Sequence, residues 1–567
     1  MAAMSSLNPG LILILGALAV PVLPGWLRRG YMLLLPVSTL ASIAMLEPGS
    51  YGAISFVGFN LETLRVDALA RVFGIIFAIA AFLSVLYALH DDDRVQQTAA
   101  LIYAGSAIAA VFAGDLITLA VFWELTAISS VFLIWARRTD RAYWAGMRYL
   151  VIQVGAGVLL VAGVLVHVAE TGSLAFDHLG IGTIGTGLIF VAFGIKCAFP
   201  LLHNWLQDAY PEATVSGTVW LSSFTTKLAV YALARGFAGT ELLIWIGAVM
   251  ALFPVFYALM ENDFRRVLAY SLNDQLGFIV VAIGIGTELA LNGAAAHAAV
   301  QVLCKALLFM SIGAVLLRTG TAKATELGGL YRSMPLTAGF CIVGALSISA
   351  FPLFSAFVTK SMIQSSVAEE GILLVWLTLQ VASVGVVLYA GLKVPLSAFF
   401  GPDRGLKCRE APVNMIVAMA ITAFLCLAIG IYPAPLFALL PFPVDYHAYT
   451  FEHVVTKLQL FAFAALAFLW VRRSALYPTE TRSVILDFDI VYRKGMPAVV
   501  RAIVATLGPL DRAGRGLAMR SLNRFMTHAQ RHTGPSGALS RTAHSGNMVL
   551  WVILLLATYL LVYLVQV

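Results

Sequence analysis

Charge is what this 567-residue chain has least of: 11% of its residues are Asp, Glu, Lys or Arg, and 60% are hydrophobic. Soluble globular chains carry about 25% charged residues. The deficit excludes a water-soluble fold, which could not hide so much apolar surface, and leaves a polytopic membrane protein. Cysteine is also scarce. Cys197, Cys304, Cys341, Cys408 and Cys426 form no CxxC pair, and four of them lie in apolar runs. Neither a disulfide framework nor iron–sulfur ligation is expected, and the thiols read as small buried hydrophobes. No cluster of carboxylates marks a sodium site, and there is no haem, flavin or nickel motif. The GxGxxG match GIGTIG, Gly180 to Gly185, precedes a membrane span with no strand ahead of it, which argues against phosphate binding. No cofactor, metal or nucleic-acid partner is therefore expected. The first ten residues lack Lys and Arg, and Arg28 and Arg29 follow the run LILILGALAVPVLPG. That run reads as a retained span rather than a cleaved signal.

What is present is a succession of apolar runs of about 18 or more residues. They predict an all-α polytopic protein of about sixteen spans, from 8–27 and 31–47 through 186–206, 216–237, 335–366 and 373–399 to 455–471 and 547–566. Loops after odd-numbered spans hold the basic residues, among them Arg94, Arg137, Arg138, Arg265, Arg266, Arg318 and Arg404. By the positive-inside rule these loops face the cytoplasm, and both termini lie outside. The excess positive charge is concentrated late in the chain. Twelve Lys/Arg and four Asp/Glu fall between Arg472 and Arg541, against 24 basic and 25 acidic residues elsewhere. From about 485 to 530 arginines alternate with apolar residues at three- and four-residue spacing, which suits an amphipathic helix on the cytoplasmic surface of the bilayer, with a basic linker as the alternative. The following RHTGPSGALSRTAHSG reads as a disordered linker. The resulting division is 1–96, N-terminal spans; 97–240 and 241–400, two repeats; 401–475, additional spans; 476–546, basic surface segment; 547–567, C-terminal anchor.

Charges inside spans are costly and point to function. Six positions stand out. Glu124, in GDLITLAVFWELTAISS, lies about 15 Å from Gly114 along a helix and so close to the bilayer midplane. Lys196 sits about ten residues into its span, and Lys227, in SSFTTKLAVYALAR, about eleven. His297 and Lys305 are eight residues apart on one helix face, and Lys360 follows Pro352. The structural alternatives are snorkelling, which suits His297 near a helix end, and ion pairs that only fix packing. Four lysines against one evident mid-span acid do not look like neutralised packing pairs. Amines in a low dielectric interact with one another and exchange protons readily, which a relay requires.

Proline breaks accompany these charges. CAFPLLHNW, Cys197–Trp205, and SAFPLFSAF, Ser349–Phe357, share AFPL at an interval of 152 residues. Span parity puts them in opposite orientations. An internal repeat inverted across the membrane, with helices broken at equivalent places, is a transporter pattern. Unwound backbone at membrane depth is tolerated only where it is buried or lines a wet cavity.

The segments FWE, KCAFPLLHNWLQDAYPEATVSG, TTKLAVYALAR, DFRRVLAYSLNDQLG, HAAVQVLCKALLF and ELGGLYRSMP, in this order, resemble the antiporter-like subunits shared by Mrp-type multisubunit cation/proton antiporters and the proton-pumping arm of respiratory complex I. The resemblance runs from about 65 to 400, and SLNDQLGFIVVAIGIGTE is most similar to the D-type component of Mrp antiporters. It implies two inverted five-helix repeats and a relay through Glu124, Lys196, Lys227, His297, Lys305 and Lys360, headed by a Glu124–Lys196 ion pair. Separating that pair would favour neutral lysine. At an effective dielectric of about 20, charges about 4 Å apart interact by roughly 4 kcal/mol. Gln301 stands where the family often has a second histidine; it can hold water but not a proton. The surface helix and last span resemble the lateral-helix extension of the largest antiporter-like subunit of complex I.

The resemblance implies a proton-translocating subunit of an Mrp-type Na+/H+ antiporter in the cell inner membrane. Its partners would be other membrane subunits, protons, possible Na+ and the lipid bilayer. The alternatives are a subunit of a complex I-type NADH:quinone oxidoreductase or membrane-bound hydrogenase, and an ion-coupling membrane partner of a soluble protein. A redox enzyme in its own right has no motif to support it.

Overall fold

The computed structural model describes residues 7–56, 58–473, 485, 487–534 and 545–566. The described chain is helical apart from one hairpin. The order is α1 Gly10–Ala17, α2 Gly25–Met45, the hairpin β1 Gly49–Phe56 and β2 Phe59–Val66, then α3 Ala68–Ala88, α4 Arg94–Val111, α5 Leu116–Trp135, α6 Asp140–Thr171, α7 Ile184–Lys196, α8 Asn204–Ala209, α9 Val215–Ser223 and α10 Thr225–Gly236. It continues with α11 Glu241–Met260, α12 Phe264–Ile285, α13 Glu288–Thr319, α14 Pro335–Ile348, α15 Ser355–Glu369, α16 Leu373–Val386, α17 Val394–Ala398, α18 Val413–Ile431, α19 Ala434–Phe437 and α20 Phe451–Arg473. The last two helices are α21 Met496–Thr533 and α22 Ser545–Gln566. Among the described residues ten helices are long and apolar enough to cross a membrane. The shorter apolar helices α7 and α14 are the first halves of broken spans.

Several sequence expectations change in the structure. The run 8–27 is not one helix: α1 ends at Ala17, and the chain turns through Pro21 and Pro24 before α2. Pro24 holds extended backbone, so α2 starts at Gly25 and absorbs Arg28 and Arg29, which were expected in a loop. Arg28 is buried and donates to Asp92 at 2.9 Å. The hairpin pairs Gly49 with Val66 and Phe56 with Phe59 in antiparallel register, a feature the apolar scan did not anticipate. The run 216–237 divides at Phe224 into α9 and α10. In the run 373–399 a π-helical stretch, Val387–Lys393, separates α16 from α17.

Two repeats are visible in matching local details. Asp115 caps α5 by accepting from the Thr118 N–H, and Asp263, 148 residues later, caps α12 by accepting from the Arg265 N–H. Such caps satisfy backbone donors that a helix start leaves open. Asp115 bridges to Ala175 and Asp263 to Lys323, again at an interval of 148. The helices that follow, α6 and α13, are each 32 residues long and end on left-handed Gly172 (φ 72°) and Gly320 (φ 78°). Four passes lie between α5 and α12, namely α6, α7, α9–α10 and α11, an even number, so α5 and α12 run in opposite directions.

The two AFPL breaks also share their backbone. Ala198 and Leu201 have φ of 62° and 70°, and Ala350 and Leu353 have 57° and 75°. Left-handed backbone at non-glycine residues costs roughly 1–2 kcal/mol each. Its recurrence at the same letters of both breaks marks a retained geometry rather than an accident of packing.

The chain divides into residues 1–485 and 486–567. In the first unit α12 and α13 are the most enclosed of the membrane-length helices. The second unit holds a short π-helical stretch, Val491–Gly495, followed by α21 and α22. Helix α21 is 38 residues long and has no buried residue. The sequence left a basic linker open as the alternative for this segment; the described part is helix. Most of the expected tail linker, residues 535–544, lies outside the described residues, as do 474–484 at the start of the basic segment.

Candidate functional site

In the first repeat α5 presents two faces. Trp123 and Thr126, three residues apart, face α7, whereas Glu124 is turned by about 100° toward α6. Lys196, the last residue of α7, is fully buried. Its Nζ donates to the Trp123 carbonyl at 2.7 Å and to Thr126 Oγ1 at 2.8 Å. It also lies 4.2 Å from the centroid of the Trp123 ring. Half-buried Glu124 rests against Gly157 of α6, where a Cβ would overlap its carboxylate, and its Oε1 has no hydrogen-bond partner. The implied Glu124–Lys196 ion pair is therefore open in this structure, because adjacent positions on α5 point to different neighbours. Gly157→Ala is expected to displace the Glu124 carboxylate and slow proton transfer several-fold in vesicles. Overpacking of this kind costs about 1–3 kcal/mol, so assembly should persist on native gels. Transport at the parent rate would show that the Glu124 position is not critical.

Lys227 follows the unanticipated break at Phe224. Its Nζ donates at 2.8 Å to the carbonyl of Ser222, in the last turn of α9, where a helix end leaves carbonyls without intrahelical partners. Lys227 thus sits at a helix break, as Lys196 does.

The 148-residue register sets Tyr149, Gln153 and Gly157 of α6 against His297, Gln301 and Lys305 of α13, three successive turns of one face. Where the first repeat keeps a glycine to make room for a carboxylate, the second has a lysine. Lys305 donates to Ser271 Oγ on α12. Ser271 donates to the Tyr389 hydroxyl at 3.0 Å, and Tyr389 donates to Asp274 Oδ2 at 2.6 Å. Asp274 Oδ2 also accepts from Gln275 Nε2 at 2.7 Å, while Oδ1 has no partner. Asp274 is fully buried. It corrects the expectation of a single mid-span acid. Its signal was available in SLNDQLG, near the middle of what the structure shows as α12. Tyr389 lies in the π-helical stretch, a form that recurs at functional sites.

His297 is also fully buried, which overturns snorkelling: its ring is nine residues into α13 and packed between helices. Nδ1 is 2.8 Å from Thr359 Oγ1, and Nε2 is 3.3 Å from Gln275 Oε1. Gln301 donates to Gln275 Oε1 at 3.0 Å and lies 3.2 Å from His297 Nε2. A hydrogen-bonding residue thus occupies the place of a second histidine. Lys360, next to Thr359, donates to the Ile348 carbonyl at 3.3 Å and lies 4.6 Å from the Phe278 ring centroid. Ile348 is the position that matches Lys196 in the AFPL register, so each break carries an ammonium group, one from its own last residue and one from the helix after it. Two further buried lysines were missed. Lys393 donates to the carbonyls of Leu259 and Glu261 at 2.8 and 2.7 Å, closing the end of α11. Lys457 of α20 donates to Gln364 Oε1. Among the described residues no group of His, Cys, Asp and Glu is arranged to hold a metal.

Residues 113–385 match the family described as NADH:quinone oxidoreductase/Mrp antiporter, transmembrane. Hydrogenase-4 component B of Escherichia coli K12 is 29% identical over 417 residues, 65% of this chain and 62% of that protein. The D component of the Na(+)/H(+) antiporter of Alkalihalophilus pseudofirmus is 30% identical over 318 residues, 52% of this chain and 64% of that protein. The chain therefore spans less than two thirds of the length of either relative. A chain of the Mrp complex from Dietzia sp. DQ12-45-1b superposes with a TM-score of 0.68 over 83% of this chain and all of that one, at 19% identity. At that identity the likeness establishes the fold.

Proposed function

We infer, for a multi-pass membrane protein whose residues 113–385 belong to the NADH:quinone oxidoreductase/Mrp antiporter transmembrane family, that it is a proton-translocating subunit of a multisubunit Mrp-type cation/proton antiporter. One observation carries the reading. Lys196, Lys227, Lys305 and Lys360 are all buried, at or beside helix breaks or on hydrogen-bonded side-chain chains, and among the described residues Glu124 and Asp274 are the carboxylates that interact with them. Burying an unpaired ammonium costs several kcal/mol, so a structural role alone would not retain four. In this reading Glu124 and Lys196 form a switch. Closed, the pair holds a charged lysine; open, as here, Lys196 rests on Trp123 and Thr126 and its proton is free to move toward Lys227. His297, Lys305 and Lys360 continue the path with Asp274 as counter-charge. Loop charges support an orientation with basic loops in the cytoplasm and both termini outside, in a cell inner membrane.

A second reading is favoured by the similarity to hydrogenase-4 component B: the same relay serving a redox-driven complex, with the electron-transfer centres on partner subunits. A third is an ion-coupling membrane partner of a soluble protein. The deciding experiment is performed on inside-out vesicles containing the chain with its native partners. Addition of Na+ is expected to collapse an imposed pH gradient, read by a fluorescent amine. A gradient that ignores Na+ but forms on addition of an electron donor would replace the antiporter with the redox-driven pump.

A further inference from the structure

The relay as drawn ends at Lys360, yet polar side chains continue past it. Gln364 is one turn farther along α15. Its Oε1 accepts from Lys457 Nζ of α20, and its Nε2 lies 3.4 Å from Ser383 Oγ. Lys457 is 7% exposed, and its counterpart across the hydrogen bond is a neutral amide rather than an acid. A cavity of about 270 Å³ opens beside it, lined by Ser365, Glu452, His453, Thr456 and Lys457 among others. That is space enough for a cluster of waters. Ser365 and Tyr446 are in contact at 3.1 Å, and Tyr446 reaches His453 Nδ1 at 3.5 Å, so the polar lining is continuous.

The position of this cavity follows from the chain direction. It lies where α15 ends at Glu369 and α20 begins at Phe451. Neither residues 361–392 nor 432–450 contain Lys or Arg, the mark of loops on the side opposite the cytoplasm.

We propose that Lys457 and the cavity beside it form the outer port of the proton path. A proton leaves the Lys360 ammonium for water held by Gln364. It is taken up by the neutral amine of Lys457 and then passes to cavity water, with His453 and Glu452 at the mouth. Gln364 orders the water and is unchanged, and the path runs equally in reverse. The port rests on the relay reading above.

The test uses the assembled complex in vesicles. Lys457→Met is expected to lower proton transfer at least tenfold, and Lys457→His to stay within about threefold of the parent. Thr456→Cys should react with a membrane-impermeant thiosulfonate applied from outside, and reaction should block transfer; the parent chain serves as control. Parent-level transfer by Lys457→Met alongside an inactive Lys227→Ala would overturn the port and leave the relay standing. Parent-level transfer by both would remove the relay and the port with it. If Lys457→Met does not assemble, the cysteine decides. Reaction from the cytoplasmic side only, or reaction from outside without effect on transfer, overturns the proposal.

Discussion

Lys227→Ala and Glu124→Ala are each expected to abolish complex-dependent proton transfer, a loss of at least a hundredfold, while the complex still assembles. Lys227 has no acid among its hydrogen-bond partners; its ammonium is held by the Ser222 carbonyl in the turn before the break at Phe224. Truncation removes a costly buried amine and leaves one carbonyl unsatisfied, a penalty of about 1–3 kcal/mol. That penalty is offset by the desolvation no longer required, so the fold should survive and the transfer step should not. Glu124 already has an unpartnered oxygen against Gly157, and its removal leaves only a small void. The measurement is a fluorescence-quench assay in vesicles, normalised to the amount of assembled complex on native gels. Normal transfer in either variant, with assembly verified, would end the relay reading.

Asp274→Asn is expected to reduce transfer at least tenfold. Asparagine has nearly the same shape and can still accept from Tyr389 and Gln275, so packing of α12 is preserved. What it lacks is the buried negative charge that interacts with both Lys360 and Lys305. At an effective dielectric of about 20, charges several ångströms apart interact by a few kcal/mol, and about 1.4 kcal/mol is a tenfold change in rate. Asp274→Glu should recover part of the loss. Tyr389→Phe, which cuts the chain from Ser271 to Asp274, should slow transfer without the sensitivity to charge. An Asn variant indistinguishable from the parent would show that the second repeat works without an acid, leaving Asp274 a packing residue.

The legible part of the site followed from cost. A lysine in an apolar run is expensive wherever it points, so Lys196, Lys227, Lys305 and Lys360 stood out from the sequence without neighbours being known. The AFPL breaks were legible for the same reason, since proline removes a backbone donor where lipid offers no substitute. Asp274 was hidden among the polar residues of SLNDQLG, where one more polar letter carries little contrast. Lys457 was hidden by its place near the start of an expected span. The break at Phe224 contains no proline or glycine and had no local signal.

The sequence by itself determined that the protein is a membrane-embedded helical bundle with a repeat, because a chain with so few charges must bury its backbone hydrogen bonds within helices. It also determined which side chains are too costly to be incidental. Tertiary structure decided which of them meet. Glu124 and Lys196 are parted because one position of rotation on α5 changes the neighbouring helix from α7 to α6. Lys305 reaches Asp274 through Ser271 and then Tyr389, which lies 115 residues beyond that acid in the π-helical stretch and packs its hydroxyl against α12. Helix rotation and long-range packing are set by contacts among many side chains at once, and no local pattern of letters encodes them.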